Sequence, residues 1–139
     1  MNAVVKQWAV SHHAPAILLV DDDPFHSHAR AAALESVYHR VVRASGAAEA
    51  FILVDQPEFA RDLALVMVAL HMPGLSGPAF VAELASRAPR VPVLVLCRKG
   101  ECHDEYQSEN VQLLPASSST QEMLSFIREM LQQPERRIA

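Results

Sequence analysis

The sequence predicts an α/β fold in which a parallel sheet of five strands carries helices on both faces. Short apolar runs of strand length recur along the chain, and the run at residues 63–68 is nearly continuous, as in a strand buried on both sides. Segments of helical length separate these runs, so that strand and helix alternate five times. Turn residues mark the junctions, such as Pro73 and Gly74 after the third strand.

Each predicted strand coincides with one apolar run. The five strands are expected at residues 16–20, 39–44, 63–69, 91–96 and 111–114. Right-handed crossovers leave few topologies for such a sheet. We predict the flavodoxin-like order 2-1-3-4-5, which places the functional site at the carboxyl ends of the first and third strands.

A helix is expected after every strand. The predicted helices cover residues 24–38, 47–56, 78–87, part of 100–110, and 120 to about 132, with residues 57–62 as a connection. In the first helix, Ala29, Ala33 and Val37 are spaced by four and share one face. Ser119 and Glu122 fit a capping box at the start of the last helix. The segment before the fifth strand is short and polar, which predicts a shortened fourth helix.

Length and charge narrow the classes of protein. The chain has 139 residues, which suit one domain, and a formal charge of −4 without a basic tract, which argues against a nucleic-acid surface. No apolar run approaches the roughly 18 residues of a membrane span, and no secretory or lipidation signal is visible. We therefore expect a cytoplasmic protein with no membrane contact. Residues 1–15 are expected to form a flexible arm, 16–133 the domain, and 134–139 a charged tail.

Two acidic side chains follow the first strand. Asp21 and Asp22 lie where this sheet topology places its functional site. Carboxylate oxygens at a strand end suit Mg²⁺. The alternative is that the acidic residues only cap the next helix, although capping needs one aspartate and three are present.

Four motifs carry a family resemblance over residues 16 to about 132. In chain order they are AILLVDDDP, ASGAAEA, HMPGLSG and VPVLVL. This combination resembles the receiver domain of two-component response regulators, the CheY-like superfamily. The resemblance implies a phosphorelay signalling module rather than an enzyme, with a histidine kinase, an effector or another receiver as its protein partner. It also implies that Asp21 and Asp22 bind Mg²⁺, with a backbone carbonyl at His71.

Three positions depart from the family pattern. The aspartate that accepts the phosphoryl group would stand at Ala69, the switch serine or threonine at Cys97, and the conserved lysine at Leu114. A methyl group cannot form an acyl phosphate. A leucine cannot neutralise phosphoryl charge, and a cysteine is a weak hydrogen-bond donor. The three departures together predict a pseudo-receiver without phosphotransfer, which needs no cofactor and binds Mg²⁺ weakly if at all.

Without the lysine, the acidic pair lacks its usual counter-ion. Arg98 directly follows Cys97 and is among the nearest cations in sequence to the vacated pocket. We predict that Arg98 folds over Asp22 in place of the metal. The alternative is that Arg98 points to solvent, the commoner fate of a loop arginine.

A histidine and two cysteines are weaker candidates for site residues. His71, two residues after Ala69, could join Asp21 and Asp22 in a mixed metal site, but the family uses only the backbone there. Cys97 and Cys102 do not make a zinc spacing or a disulfide framework, so packing is the expected role of Cys97.

The sequence therefore supports three functional hypotheses. The first is a protein-docking module in two-component signalling that works without phosphorylation. The second is a metal or small-ligand site that reuses the strand-end pocket formed by Asp21, Asp22, His71 and Cys97. The third is the N-terminal regulatory domain of a longer response regulator. The oligomeric state is not fixed by the sequence, because the shortened fourth helix puts the usual dimer surface in doubt.

Overall fold

A computed structural model describes residues 15–69, 77–98 and 110–132. Five parallel strands form one sheet in the order β2-β1-β3-β4-β5, which confirms the predicted topology. The strands are β1 (Ala16–Asp21), β2 (Arg40–Ala44), β3 (Leu63–Ala69), β4 (Val93–Cys97) and β5 (Val111–Pro115). The apolar side chains of β1, β3 and β4 are largely buried, in agreement with the continuous apolar runs that predicted these strands. The apolar side chains of the two edge strands, β2 and β5, are mostly only partly buried.

Five helices accompany the strands in the described part of the chain. They are α1 (Pro24–Glu35), α2 (Ala47–Val54), α3 (Pro57–Asp62), α4 (Gly77–Arg87) and α5 (Thr120–Leu131). The prediction of a plain connection at residues 57–62 was wrong, because α3 forms there. Pro57 is tolerated in its first turn, where the missing N–H has no helical partner, and Phe59 is buried in the core.

The core has one half on each face of the sheet. Helices α2, α3 and α4 cover one face through buried side chains such as Ala50, Phe59 and Phe80. Helices α1 and α5 cover the other, where Leu34 and Ile127 pack on the strands. The carboxyl ends of the central strands therefore lie between two helical layers, as the sheet topology requires.

The inward face of α1 is not the one that Ala29, Ala33 and Val37 share. Its buried residues are Ser27, Ala31 and Leu34, whereas Ala29 and Val37 are exposed. The helix also ends at Glu35, about three residues earlier than expected. The hydroxyl of Ser36 donates to a carbonyl of the last turn at 2.6 Å, and its backbone N–H binds that turn as well. Because Ser27, Ala31 and Leu34 face inward, α1 is rotated about its axis relative to the face that Ala29, Ala33 and Val37 share. The charged residues of α1 therefore lie in different places from those that this face suggested.

The start of α5 confirms the predicted capping box. The Ser119 hydroxyl accepts from the backbone N–H of Glu122 at 3.1 Å, and the Glu122 carboxylate accepts from the backbone N–H of Ser119 at 2.9 Å. The predicted arm, the shortened fourth helix and the tail fall largely or wholly outside the described residues. Within residues 15–69, 77–98 and 110–132, no helix is long and apolar enough to cross a bilayer.

Candidate functional site

Four strands end in one row of side chains. In the strand register, Asp21 stands opposite Ala69, Ala69 opposite Leu96, and Leu96 opposite Leu114. Neighbouring strands lie about 4.8 Å apart, so consecutive members of the row are adjacent. Ala69 is 4% exposed and packs with both leucines in the half of the core beneath α1 and α5. Beyond Asp21, this row offers only hydrocarbon groups.

Asp21 is buried and is held by two donors. Its Oδ2 atom lies 2.6 Å from Nη1 of Arg30, which reaches it from α1, and its Oδ1 atom accepts from the backbone N–H of Asp23 at 2.9 Å. The Asp21 side chain is 1% exposed and that of Arg30 is 19% exposed. Arg30 is therefore the counter-ion of this carboxylate.

The third aspartate caps α1. Asp23 Oδ1 accepts from the backbone N–H groups of Phe25 at 3.0 Å and His26 at 3.3 Å, and its Oδ2 lies 2.9 Å from the ring of His26. The backbone hydrogen bond from His26 is the main cause that lowers the pKa of Asp23. Because Asp23 caps the helix, Asp21 and Asp22 are not needed for that role.

Asp22 borders a cavity on the side of β2. Its Oδ1 atom is buried and has no hydrogen-bond partner in the described part of the protein. The cavity has a volume of about 290 Å³, and its lining includes Asp21, Asp22, Arg43 and Glu49. Glu49 brings a further carboxylate, but its Oε1 atom accepts from the backbone N–H of Ser45 at 2.7 Å. Ala69 does not line this cavity, so Glu49 does not replace a carboxylate at that position.

A smaller cavity lies on the other side of Asp21, between α1 and α5. Its volume is about 170 Å³, and Arg30, Leu96, Leu114 and Met123 are among the residues that line it. Leu114 thus faces the same space as the Arg30 side chain. Among the described residues that line this cavity, Arg30 of α1 supplies a positive charge and Leu114 of β5 does not.

The structure gives the counter-ion role to a different arginine from the one predicted. Arg98 is exposed at the end of β4, and within the described residues it makes no ion pair with Asp22. The sheet order supplies the reason, because β3 separates β4 from β1. Two strand spacings amount to about 10 Å. The side chain of Arg98, which is exposed to solvent, does not span that distance to Asp22.

The remaining predicted site residues fall into two groups. His71 lies outside the described residues, so its place relative to Asp21 and Asp22 stays a prediction. Cys97 is buried at the end of β4, opposite Pro115 of β5. Cys97 is disulfide-bonded, so the expectation that this cysteine takes part in no disulfide and serves only in packing was wrong.

A family comparison agrees with this geometry. The model of the response regulator receiver domain matches residues 17–113, which cover most of the folded chain. The chain belongs to this family. Receiver domains are signalling modules of two-component systems that interact with histidine kinases and effector domains. A comparison with curated proteins gives no match.

Solved receiver domains share the fold. A receiver domain from Clostridium thermocellum is 20% identical with a TM-score of 0.77, over 87% of this chain and 97% of that one. The receiver domain of the hybrid histidine kinase CckA is 23% identical with a TM-score of 0.68, over 84% and 98%. A CheY-like receiver from Methanospirillum hungatei is 19% identical with a TM-score of 0.71, over 88% and 98%. At these identities the likeness establishes the fold alone.

Receiver domains can bind Mg²⁺ at their phosphorylation site, but the residues of this receiver domain fit the ion poorly. Both carboxylate oxygens of Asp21 already have donors, and one of these is a guanidinium whose charge repels a cation. Asp22 Oδ1 is the one buried acceptor without a donor in the described part. The described residues contain no group of three acidic, histidine or cysteine side chains placed to hold a metal. Mg²⁺ keeps several of its waters and is usually bound through one or two carboxylates, and of the acidic pair only Asp22 has, within the described residues, a buried oxygen without a donor.

Sequence reasoning missed Arg30, although a signal was present. Ser27, Arg30 and Leu34 follow the spacing of one helical face, and Ser27 and Leu34 are buried. A charged residue on such a face is rarely buried unless it is paired. The face that Ala29, Ala33 and Val37 share does not include Arg30, so a search along that face missed it.

Proposed function

We propose that this receiver domain is a pseudo-receiver that docks on a protein partner in two-component signalling without accepting a phosphoryl group. The observation that carries the proposal is Ala69 at the end of β3, beside Asp21 in the register. An alanine side chain has no atom that can attack a phosphoryl donor.

The neighbours of Ala69 support the same conclusion. Phosphoryl transfer relies on cations and donors that stabilise the charge of the transferred group. Leu96 and Leu114 extend the row with apolar side chains, and Arg30 is already bound to Asp21. A module of this kind holds one conformation in the cytoplasm, and its partner recognises that conformation directly.

Intact-mass spectrometry with acetyl phosphate and Mg²⁺ tests the loss of phosphotransfer. We expect the mass of the protein to stay unchanged, while a receiver domain that carries the aspartate gains one phosphoryl group in the same mixture. A stable adduct on this chain would refute the proposal. The amide NMR spectrum should also stay unchanged on adding beryllofluoride and Mg²⁺, which mimic a phosphoryl group on an aspartate.

Docking has its own test. A histidine kinase or effector that binds this chain should bind with the same Kd in the presence and absence of acetyl phosphate. A Kd that depends on the phosphodonor would contradict docking without phosphorylation.

A second candidate is a regulatory domain within a longer response regulator. NtrX from Brucella abortus matches with a TM-score of 0.73 at 20% identity over 88% of this chain, but over only 28% of its own length. The same fold therefore occurs there as part of a larger protein. The sequence of the complete reading frame distinguishes a stand-alone module from such a domain.

A further inference from the structure

We infer that Arg30 is a built-in cation that occupies the acidic site of this domain and makes the site independent of Mg²⁺. The inference deepens the proposed function, because a site that carries its own counter-ion keeps one charge state and one shape. It stands on the poor fit between the acidic pair and a metal ion.

The first step is the pairing of both oxygens of Asp21 with donors. One oxygen binds Nη1 of Arg30 and the other binds the backbone N–H of Asp23, and the carboxylate is shielded from water. A metal ion would have to displace the guanidinium to reach Oδ2. The guanidinium is tethered within the same chain, so the competition is intramolecular and favours Arg30 over a dilute ion.

The second step is the position of the Arg30 side chain. It lines the same cavity as Leu114. Leu114 stands where the family resemblance implies a lysine. The guanidinium thus supplies charge from α1 that β5 does not supply.

The third step is the role of α1. The Arg30–Asp21 contact ties the middle of this helix to the end of β1, beside the row that contains Ala69. A ligand or phosphoryl group is not required to hold the helix there. The Arg30–Asp21 ion pair holds the site in one conformation, and no bound ion or phosphoryl group is needed to set it.

A Mg²⁺ titration followed by amide NMR tests the inference on the whole chain. The reporters are the amides of Asp22, Asp23 and Ala69. We expect no saturable shift of these signals in the native protein at millimolar Mg²⁺. Arg30→Met keeps the apolar stem and removes the cation, and we expect it to gain a saturable Mg²⁺ response, with an apparent Kd at least about tenfold below the highest Mg²⁺ concentration at which the native protein shows none.

The matched control is Arg43→Met. Arg43 borders the cavity that contains Asp21 and Asp22, but its Nε donates to the hydroxyl of Ser27 at 2.9 Å rather than to a carboxylate. Its removal lowers the local charge by the same amount. We expect the Arg43→Met protein to respond to Mg²⁺ like the native one.

Several results would overturn the inference. Saturable binding of Mg²⁺ at the reporter amides of the native protein does so without any variant, and therefore also if Arg30→Met fails to fold. Equal gains in Arg30→Met and Arg43→Met would show a general charge effect. A phosphoryl adduct with acetyl phosphate would refute the proposed function and leave the Mg²⁺ result to be judged by itself.

Discussion

Arg30 and Asp21 form a buried ion pair across the junction of α1 and β1, with 2.6 Å between Nη1 and Oδ2. Asp21 is the more deeply buried partner, and the Arg30 side chain keeps a limited exposure to solvent. Removal of one partner from such a pair leaves an uncompensated charge, which is more harmful than removal of both.

The first prediction follows from this asymmetry. Arg30→Met should lower the free energy of unfolding by about 3 kcal/mol, and Asp21→Asn in the same protein should recover part of that loss. Urea denaturation of the two single variants and the double variant measures the coupling. Arg40→Met is the matched control, since Arg40 binds the more exposed Asp62 at 2.9 Å at the other end of β2 and should destabilise the protein less. Additive losses at positions 30 and 21 would contradict a coupled pair.

The second prediction concerns the phosphoacceptor position. Ala69→Asp alone should not restore switching, because the new carboxylate would lie in an apolar row beside Asp21, with Arg30 as a cation that Asp21 already binds. We expect a less stable protein whose amide spectrum does not change with acetyl phosphate and Mg²⁺.

A rebuilt variant provides the comparison. It combines Ala69→Asp with Arg30→Met, Cys97→Thr and Leu114→Lys, so that the acidic site is open to Mg²⁺, and it should recover at least partial phosphorylation by intact mass. If Ala69→Asp by itself gained a phosphoryl group and changed the amide spectrum, the pocket would be more complete than the row of side chains indicates.

Sequence alone predicted the parts of the fold that depend on local pattern. The strands were found because each contains a short apolar run, which is largely buried in β1, β3 and β4. The capping box of Ser119 and Glu122 was found because both residues act within one turn. The flavodoxin-like order followed from alternation and handedness. The family resemblance assigned the phosphoacceptor position to Ala69, which is the last residue of β3 and lies opposite Asp21.

The counter-ion could not be placed in the same way. Arg98 is near the site in sequence but is separated from β1 by a strand, whereas Arg30 is nine residues from Asp21 and reaches it through the rotation of α1. That rotation is set by which residues pack on the sheet. The alanines of α1 carry little information about it, because a small side chain is tolerated on either face. Ser27 was overlooked because a serine is polar and is usually expected at the surface, whereas this one is buried.

The third prediction tests the cap of α5. Ser119→Ala should lower the free energy of unfolding by about 1 kcal/mol, because the hydroxyl that satisfies a first-turn N–H is lost. Ser117→Ala is the control, since Ser117 is exposed in the turn before the helix. Thermal and urea denaturation measure both variants. Equal effects at the two serines would argue that the capping contact does not stabilise the helix.

The fourth prediction concerns the acid side of the stability curve. The backbone N–H of Ser119 is the main cause that holds the pKa of Glu122 below its usual range, with the Ser119 hydroxyl as a further cause. A carboxylate whose pKa is lower in the folded state binds a proton more readily when the chain is unfolded. Its stabilising contribution is therefore complete above the unfolded pKa, about 4.3, and is lost as the pH falls from there towards the folded pKa.

Glu122→Gln removes this titration while it keeps an acceptor for the same N–H. The difference in the free energy of unfolding between the native protein and Glu122→Gln should be constant near neutral pH and should shrink as the pH falls below about 4. Glu129→Gln controls for the loss of one charge on α5, because Glu129 is exposed and lies away from the capping box at the first turn. A difference at position 122 that does not change with pH would show that the capping carboxylate titrates alike in the folded and unfolded chain.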